Sequence, residues 1–460
     1  MKITKRNLIL GLLIINFGLL FGLIFFGNFS SNRDSSTGPV VISFWHSMAD
    51  SAGLAFDEYV REFNEGPGKE NNIFVQAVFQ GQYADAVAKL RPLLQSRHAN
   101  ALPDVMQIDA TGIVDFLNTE YAYTVDDALL NDQSFDLSSI MEAPLKAWNY
   151  NNRQLGLPVS ASTTVMYYNK SILDAAGITS PPTSFGEIIE ISRRLPLHNS
   201  NNQRLTAYAQ QPNTPTLANW IGQMPGQNAD ASYVVNMRNG RDGNATRLVA
   251  DLESTLLTFL SAWKEMFDAG AVLDVPDSSL NNLFLTQQTV FLTASTSQLA
   301  SLLNQIDGRF ELGCTFFPRV SDKSNFGATV SGSALFMFDK EDKAKTLAAW
   351  EFLKFMTSSS IQARFAAATG YMPVNIDSVN ETVFTDYVRQ YPQAETGARQ
   401  LGLTSPDMMG IIVGPSRSFY MEIINQVSIM LNSGRSPQES AVNMAASLNL
   451  LLDDYAQANR

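Results

Sequence analysis

From Val40 onward the chain alternates short apolar runs rich in β-branched residues with segments whose apolar residues recur at helical spacing. No other feature restricts the fold as strongly. Val40–Trp45 reads as a buried strand, Ala52–Phe63 as a helix with Leu54, Phe56, Tyr59 and Phe63 on its inner side, and Ile73–Phe79 as a second strand. Tyr83–Leu94 comes next as a helix with Ala86, Val87, Leu90 and Leu94 inward, then Asp104–Ile108 as a third strand and Ile113–Leu117 as the start of another helix. Consecutive parallel strands need a crossover, and the crossover helix covers a sheet face, so this order predicts an α/β fold with a parallel sheet covered on both sides. The pattern resumes with a strand at Thr164–Tyr168, a helix around Ser171–Ala176, and Pro181-Pro182-Thr183-Ser184 as turn and cap of a helix over Phe185–Arg194. Thr289–Thr293 reads as a strand, Ala344–Met356 and Ser360–Ala367 as a helical pair, and Glu422–Leu431 and Glu439–Tyr455 as closing helices. At 460 residues the chain exceeds what one core organises, and two α/β lobes are expected.

Ahead of this body stands a different kind of segment. Lys2, Lys5 and Arg6 precede an uncharged run, Leu8–Phe26, interrupted only by Asn16 and three glycines. Basic residues before an apolar run hold that end in the cytoplasm and direct the rest of the chain outward. The run has the roughly 20-residue length of a membrane-spanning helix. Asn28 and Phe29 stand where a cleavage site would want small residues, and no lipid-accepting cysteine comes after them, so an uncleaved anchor is expected ahead of a cleaved signal. Residues 1–28 are assigned to this signal or anchor helix and 29–39, rich in Ser and Asn, to a flexible tether. Either form places the body outside the cytoplasm, in the periplasm or its equivalent.

Charge and cysteine content then narrow the chemistry. A formal net charge of -12 and a pI near 4.8 argue against nucleic acid as a partner. The lone Cys314, flanked by apolar residues, permits no internal disulfide and no cysteine-built zinc site, and His46, His98 and His198 lack ligand spacing, so no metal and no cofactor are expected. There is no nucleophile elbow, P-loop or dinucleotide fingerprint, and no carboxylate pair stands out as acid and base; the chain is not expected to be an enzyme. Gly240-Arg241-Asp242-Gly243-Asn244 reads as a turn-rich loop, since no strand precedes it at phosphate-cradle spacing. Several strands end in small polar or aromatic residues, as at Trp45-His46-Ser47, Gln80-Gly81-Gln82-Tyr83 and Ser295-Thr296-Ser297. Beyond the carboxyl ends of such strands a hydrogen-bonding cleft for a hydrated solute is expected.

Five segments in fixed order give the chain a family likeness: Ile42-Ser43-Phe44-Trp45-His46-Ser47-Met48, Gln80-Gly81-Gln82-Tyr83, the run from Leu157-Pro158-Val159 to Tyr168-Asn169-Lys170, Thr293-Ala294-Ser295, and Trp350-Glu351-Phe352-Leu353-Lys354-Phe355 onward to Thr369-Gly370-Tyr371-Met372-Pro373. Together they resemble the solute-binding proteins of ABC importers in the family that holds the maltose and glycerol-3-phosphate receptors. The tail Gly414-Pro415-Ser416-Arg417 and later Gly434-Arg435-Ser436-Pro437-Gln438 resembles the glycerol-3-phosphate branch. The resemblance implies a two-lobed fold with mainly parallel sheets joined by a multi-strand hinge. It implies an N-lobe of 40–160 plus about 312–340, and a C-lobe of 161–311 plus about 341–460. It implies ligand contacts at Tyr83, Ser162, Ser295, Gly332, Tyr371 and Arg417, with Arg417 gripping a phosphate and the tyrosines forming aromatic walls. Trp220 is a further candidate cleft aromatic. Where the family carries a glutamate this chain has Ala110, with Asp109 beside it as the candidate substitute.

The expected function is therefore a monomeric extracytoplasmic receptor that binds a sugar, polyol or glycerol-phosphate-type solute and passes it to ABC permease subunits. A secreted hydrolase of similar solutes, or a sensing subunit of a membrane signalling system, are the alternatives.

Overall fold

The first half of the sheet is built as the sequence pattern requires. The computed structural model describes residues 38–458 apart from 97, 111, 118, 225–231 and 406; the predicted signal or anchor helix and residues 29–37 of the tether lie outside the described residues. Strand β1 (Val40–His46) pairs in parallel with β2 (Ile73–Phe79), Val40 opposite Ile73 and His46 opposite Phe79. Helix α1 (Asp50–Glu65) makes the crossover and buries Phe56, Tyr59 and Phe63. Leu54, expected inside, is 73% exposed, because two residues before Phe56 lies on the opposite side of a helix. Helix α2 (Tyr83–Ser96) then leads to β3 (Val105–Ile108), parallel to β1 with Phe44 opposite Val105.

The two halves of the sheet meet on one long strand. β4 (Leu157–Asn169) has 13 residues, a length of about 43 Å at the usual strand rise, and is buried along almost all of it. After β5 (Thr206–Ala209) come β6 (Thr289–Ser295), β7 (Leu312–Thr315) and β8 (Val330–Phe338). The first part of β4 pairs antiparallel with β8, Leu157 opposite Leu335 and Thr163 opposite Val330, with an irregularity between Ser333 and Ala334. Its second part pairs antiparallel with β6, Thr164 opposite Ser295, and with β7, Met166 opposite Thr315. The strand order is β2-β1-β3-β8-β4-β6-β5, with Val272–Leu273 at the far edge. Pairing is parallel in the outer parts and antiparallel where β4 and β8 carry the chain between the halves.

Each half has its own core. In the second, helices α3 (Thr214–Gly222) and α4 (Leu252–Asp268) stack Trp220, Phe259 and Trp263 together beneath the closing helices α7 (Ser416–Ser433) and α8 (Pro437–Ala458). In the first, Phe44, Phe56 and Phe63 pack with α5 (Lys343–Met356) and α6 (Ser359–Thr369). Phe352 meets the rings of Phe44 and Phe63 edge-on at 5.2 and 5.3 Å. The expected boundaries differ on both counts. Helices α5 and α6 were expected in the second lobe, and β7 in the first. The chain leaves β8 in the first half, and the next helices cover the nearest open face, as short connections favour; β7 pairs with the part of β4 that lies in the second half.

Candidate ligand-binding site

Where β4 passes from one half of the sheet to the other, the surrounding loops enclose a cavity of about 380 Å³. Six of the eight residues singled out from the sequence line it: Tyr83, Asp109, Ser162, Ser295, Gly332 and Tyr371. Their convergence comes from the topology, since the carboxyl ends of parallel strands gather on one side of a sheet. Tyr83 opens the helix after β2, Asp109 comes just after β3, and Ser295 is the last residue of β6. Ser162 lies mid-way along β4 and faces Ser331 across the β8 pairing. Tyr371 is brought beside them because the Met372 N–H donates to the Ala161 carbonyl at 2.8 Å, while its ring stacks on Phe365. Gly332 has φ +132°, and a Cβ there would run into the Ser160 carbonyl, so only glycine lets β8 approach β4 this closely.

Asp109 and Ala110 both reach the cavity. On a strand they would point to opposite faces, but β3 ends at Ile108 and the pair sits in the loop beyond it. Asp109 therefore borders the cavity from a loop, where strand alternation does not turn it away. The tyrosines remain neutral donors: burial raises both phenols above their ordinary range, and the Asp109 charge pushes in the same direction. Behind Tyr83 runs a polar network in the core. Gln107 Nε2 donates to the Tyr83 hydroxyl at 3.1 Å and to Ser333 Oγ at 2.7 Å, and its Oε1 accepts from the Ser47 N–H at 3.0 Å. Ser333 is tied in turn to Ser160 at 2.8 Å. This scaffold fixes the Tyr83 ring, and its signal in the sequence is the lone glutamine inside the apolar run of β3.

Two expected contacts fall elsewhere. Trp220 is fully buried, stacked between Phe259 and Phe317, with its indole N–H donating to the Pro318 carbonyl at 3.1 Å. It is a core residue, and the first turn of its own helix, Thr214 and Pro215, is what reaches the cavity. Arg417 is exposed on the first turn of α7, two residues from the buried Phe419 and so on the opposite side of the helix. It lines a neighbouring hollow of about 750 Å³ together with Arg91, Asp115 and Tyr420. Ala110, Thr214, Pro215, Ile411 and Ile412 line both this hollow and the cavity.

Arg241 lines the cavity instead, from the loop expected to be a simple turn. That loop is held in an unusual shape: Met237, Arg238 and Asn239 are all left-handed, with φ of 60°, 48° and 53°. The Asn239 side-chain oxygen accepts from three successive backbone N–H groups, those of Tyr233, Val234 and Val235. Arg241 is 5% exposed, and its guanidinium donates through Nη1 to the Gly410 carbonyl. Burial draws its pKa down to about 10, so it stays cationic at neutral pH. Trp148 is a second lining residue that the sequence pattern does not single out. Among the described residues no cluster of His, Cys, Asp and Glu could hold a metal ion.

Residues 58–396 match the family model described as bacterial extracellular solute-binding protein. The sn-glycerol-3-phosphate-binding periplasmic protein of Yersinia pestis is 24% identical over 448 residues, covering 94% of this chain and 96% of that one. Among solved structures, UgpB from Mycobacterium tuberculosis in complex with glycerophosphocholine is similar with a TM-score of 0.67 and 21% identity, over 92% of this chain and 100% of that one. The cyclic alpha-maltosyl-1,6-maltose binding protein from Arthrobacter globiformis is similar with a TM-score of 0.71 and 17% identity, over 91% and 100%. The likeness shows the two-lobed binding-protein fold, with the long strand β4 running between the lobes.

Proposed function

Since the chain belongs to the bacterial extracellular solute-binding protein family, we propose that it is the extracytoplasmic receptor of an ABC importer for a sugar, polyol or glycerol-phosphate-type solute. The observation that carries this reading is the cavity between the lobes, walled by the hydroxyls of Ser162, Ser295, Tyr83 and Tyr371, with Asp109 among them. Hydroxyl donors, a carboxylate acceptor and flat aromatic walls are what a hydrated, hydroxyl-rich solute needs to exchange its water for protein hydrogen bonds. Relatives whose names specify glycerol 3-phosphate and maltosyl sugars support the same solute class.

The cavity draws its walls from both lobes and from β4 between them. A solute that touches both walls binds the closed arrangement better than the open one, and so shifts the population toward closure. Closure is then the signal that a permease reads. The receptor acts as a monomer, and the uncharged segment before the tether keeps it at the membrane. No reaction is assigned to the cavity: among the described residues its lining holds Asp109 as a single carboxylate, with no second one to act as acid or base.

A panel of maltodextrins, polyols and glycerol phosphates, added to the purified body, tests the reading by thermal shift and by tryptophan fluorescence, with Trp148 in the cavity wall as the reporter. At least one solute is expected to raise the melting temperature by several degrees and change the emission. A panel that moves neither observable contradicts the proposal.

A further inference from the structure

Next to the cavity a second set of contacts joins the two lobes. On the first-lobe side stands a small hairpin, Asn149–Tyr150 paired antiparallel with Arg153–Gln154. Its tip residues, Asn151 and Asn152, are left-handed with φ of 49° and 57°, the conformation that two-residue hairpin turns favour and asparagine tolerates. The hairpin is rooted in its lobe, where Trp148, Tyr150 and Leu155 are buried with Met106 of β3 and Phe336 of β8. Opposite lies the left-handed loop 237–239, rooted in the other lobe by Tyr233, Val234 and Val235, which share the core of Trp220. Three hydrogen bonds join hairpin and loop. Arg238 Nη1 donates to Asn152 Oδ1 at 3.2 Å, Arg238 Nη2 to Asn149 Oδ1 at 3.5 Å, and the Asn151 N–H to the Arg241 carbonyl at 2.9 Å. Across the same seam Lys146 lies 3.7 Å from Asp407. Arg238, Asn149 and Asn152 border a polar hollow of about 700 Å³ and are not among the lining of the cavity.

We infer that this seam is an interlobe clasp, and that Arg238 is a positioning residue that sets the affinity of the receptor without touching the solute. The inference rests on the receptor reading. The three bonds form only when hairpin and loop are together, the arrangement that encloses the cavity. They stabilise that arrangement before any solute arrives, and the affinity of a solute scales with the fraction of molecules already in it. Because the clasp favours an arrangement and not a ligand, its loss weakens every solute by the same factor. The arginine suits this role. An ion pair with Asp242 at 3.4 Å steadies its guanidinium, and the planar fork leaves both amino groups for the asparagine acceptors. The loop itself does not depend on that side chain: Asn239 holds three backbone N–H groups, and Ser232 Oγ accepts from the Arg238 N–H at 2.9 Å.

Two variants break the clasp from opposite sides. R238A removes the donor from the loop, and N152G removes an acceptor from the hairpin while glycine keeps the left-handed turn. Without solute, small-angle X-ray scattering is expected to give both variants a larger radius of gyration than the wild type, with far-ultraviolet circular dichroism unchanged. In calorimetric titration with maltose and with glycerol 3-phosphate, each variant is expected to lose roughly 3- to 10-fold in affinity for whichever of these the wild type binds, the range of a lost hydrogen bond. Where the wild type binds both, the factor is the same for both. The double variant R238A/N152G is expected to lose no more than R238A alone, since the two substitutions delete one shared bond. Unchanged scattering, unchanged affinity, losses that add, or a loss that differs between the two solutes overturns the inference. If R238A does not fold, N152G decides through scattering and affinity. A wild type that binds no solute of the wider panel contradicts the receptor reading, and the solute-free scattering then still decides whether the clasp holds the lobes together.

Discussion

At the scale of single residues, backbone geometry decides more than side-chain identity. Gly332 contributes no side chain to the cavity, yet its φ of +132° lets β8 lie against Ser160 and Ala161, which sets the position of Ser162. Gly332→Ala is expected to cost roughly 1–3 kcal/mol of stability, the usual strain of a disfavoured backbone conformation, and to weaken solute binding as well. Urea unfolding monitored by far-ultraviolet circular dichroism measures the first effect and titration the second; an unchanged midpoint contradicts the assignment. The small polar and aromatic residues of the cavity were legible because they stand at strand ends in recognisable segments. Arg241 was not. Its setting depends on three left-handed residues and on Asn239 bridging backbone groups, and neither leaves a periodic trace. Arg417 and Trp220 misled for the opposite reason: both are residue types suited to a binding site, and only helix phase shows that one faces solvent and the other the core.

Among the elements, strands and helices matched the hydrophobic pattern closely, and the partition between lobes did not. Periodicity states that a helix has an apolar side but not which surface will cover it. Helices α5 and α6 come late in the chain and pack on the earliest strands, with Trp350 donating its indole N–H to Asp132 at 3.0 Å and Phe352 set against Phe44 and Phe63. Phe352→Ala is therefore expected to cost about 3–5 kcal/mol. In hydrogen exchange the loss should appear in β1, β2 and α1 while α4 and α8 keep their protection. Faster exchange in α4 and α8, with β1 unaffected, would return these helices to the second lobe.

The whole molecule combines a strongly acidic chain, with a formal net charge of -12, and a cavity wall holding one buried cation. An acidic surface repels anionic solutes at long range, but that field is screened within about 10 Å at 0.1 M salt, whereas a buried guanidinium acts where water is scarce. Global charge thus argues against nucleic acid without excluding an anionic solute in the cavity. On the proposed function, this body holds a small hydroxyl-rich solute without altering it. Native mass spectrometry of the purified chain mixed with maltodextrins, polyols and glycerol phosphates, with subsequent denaturation and recovery of the bound species, shows whether it does. One solute per chain, recovered intact, is the predicted result; no adduct with any of them, or recovery of a cleaved product, would contradict it.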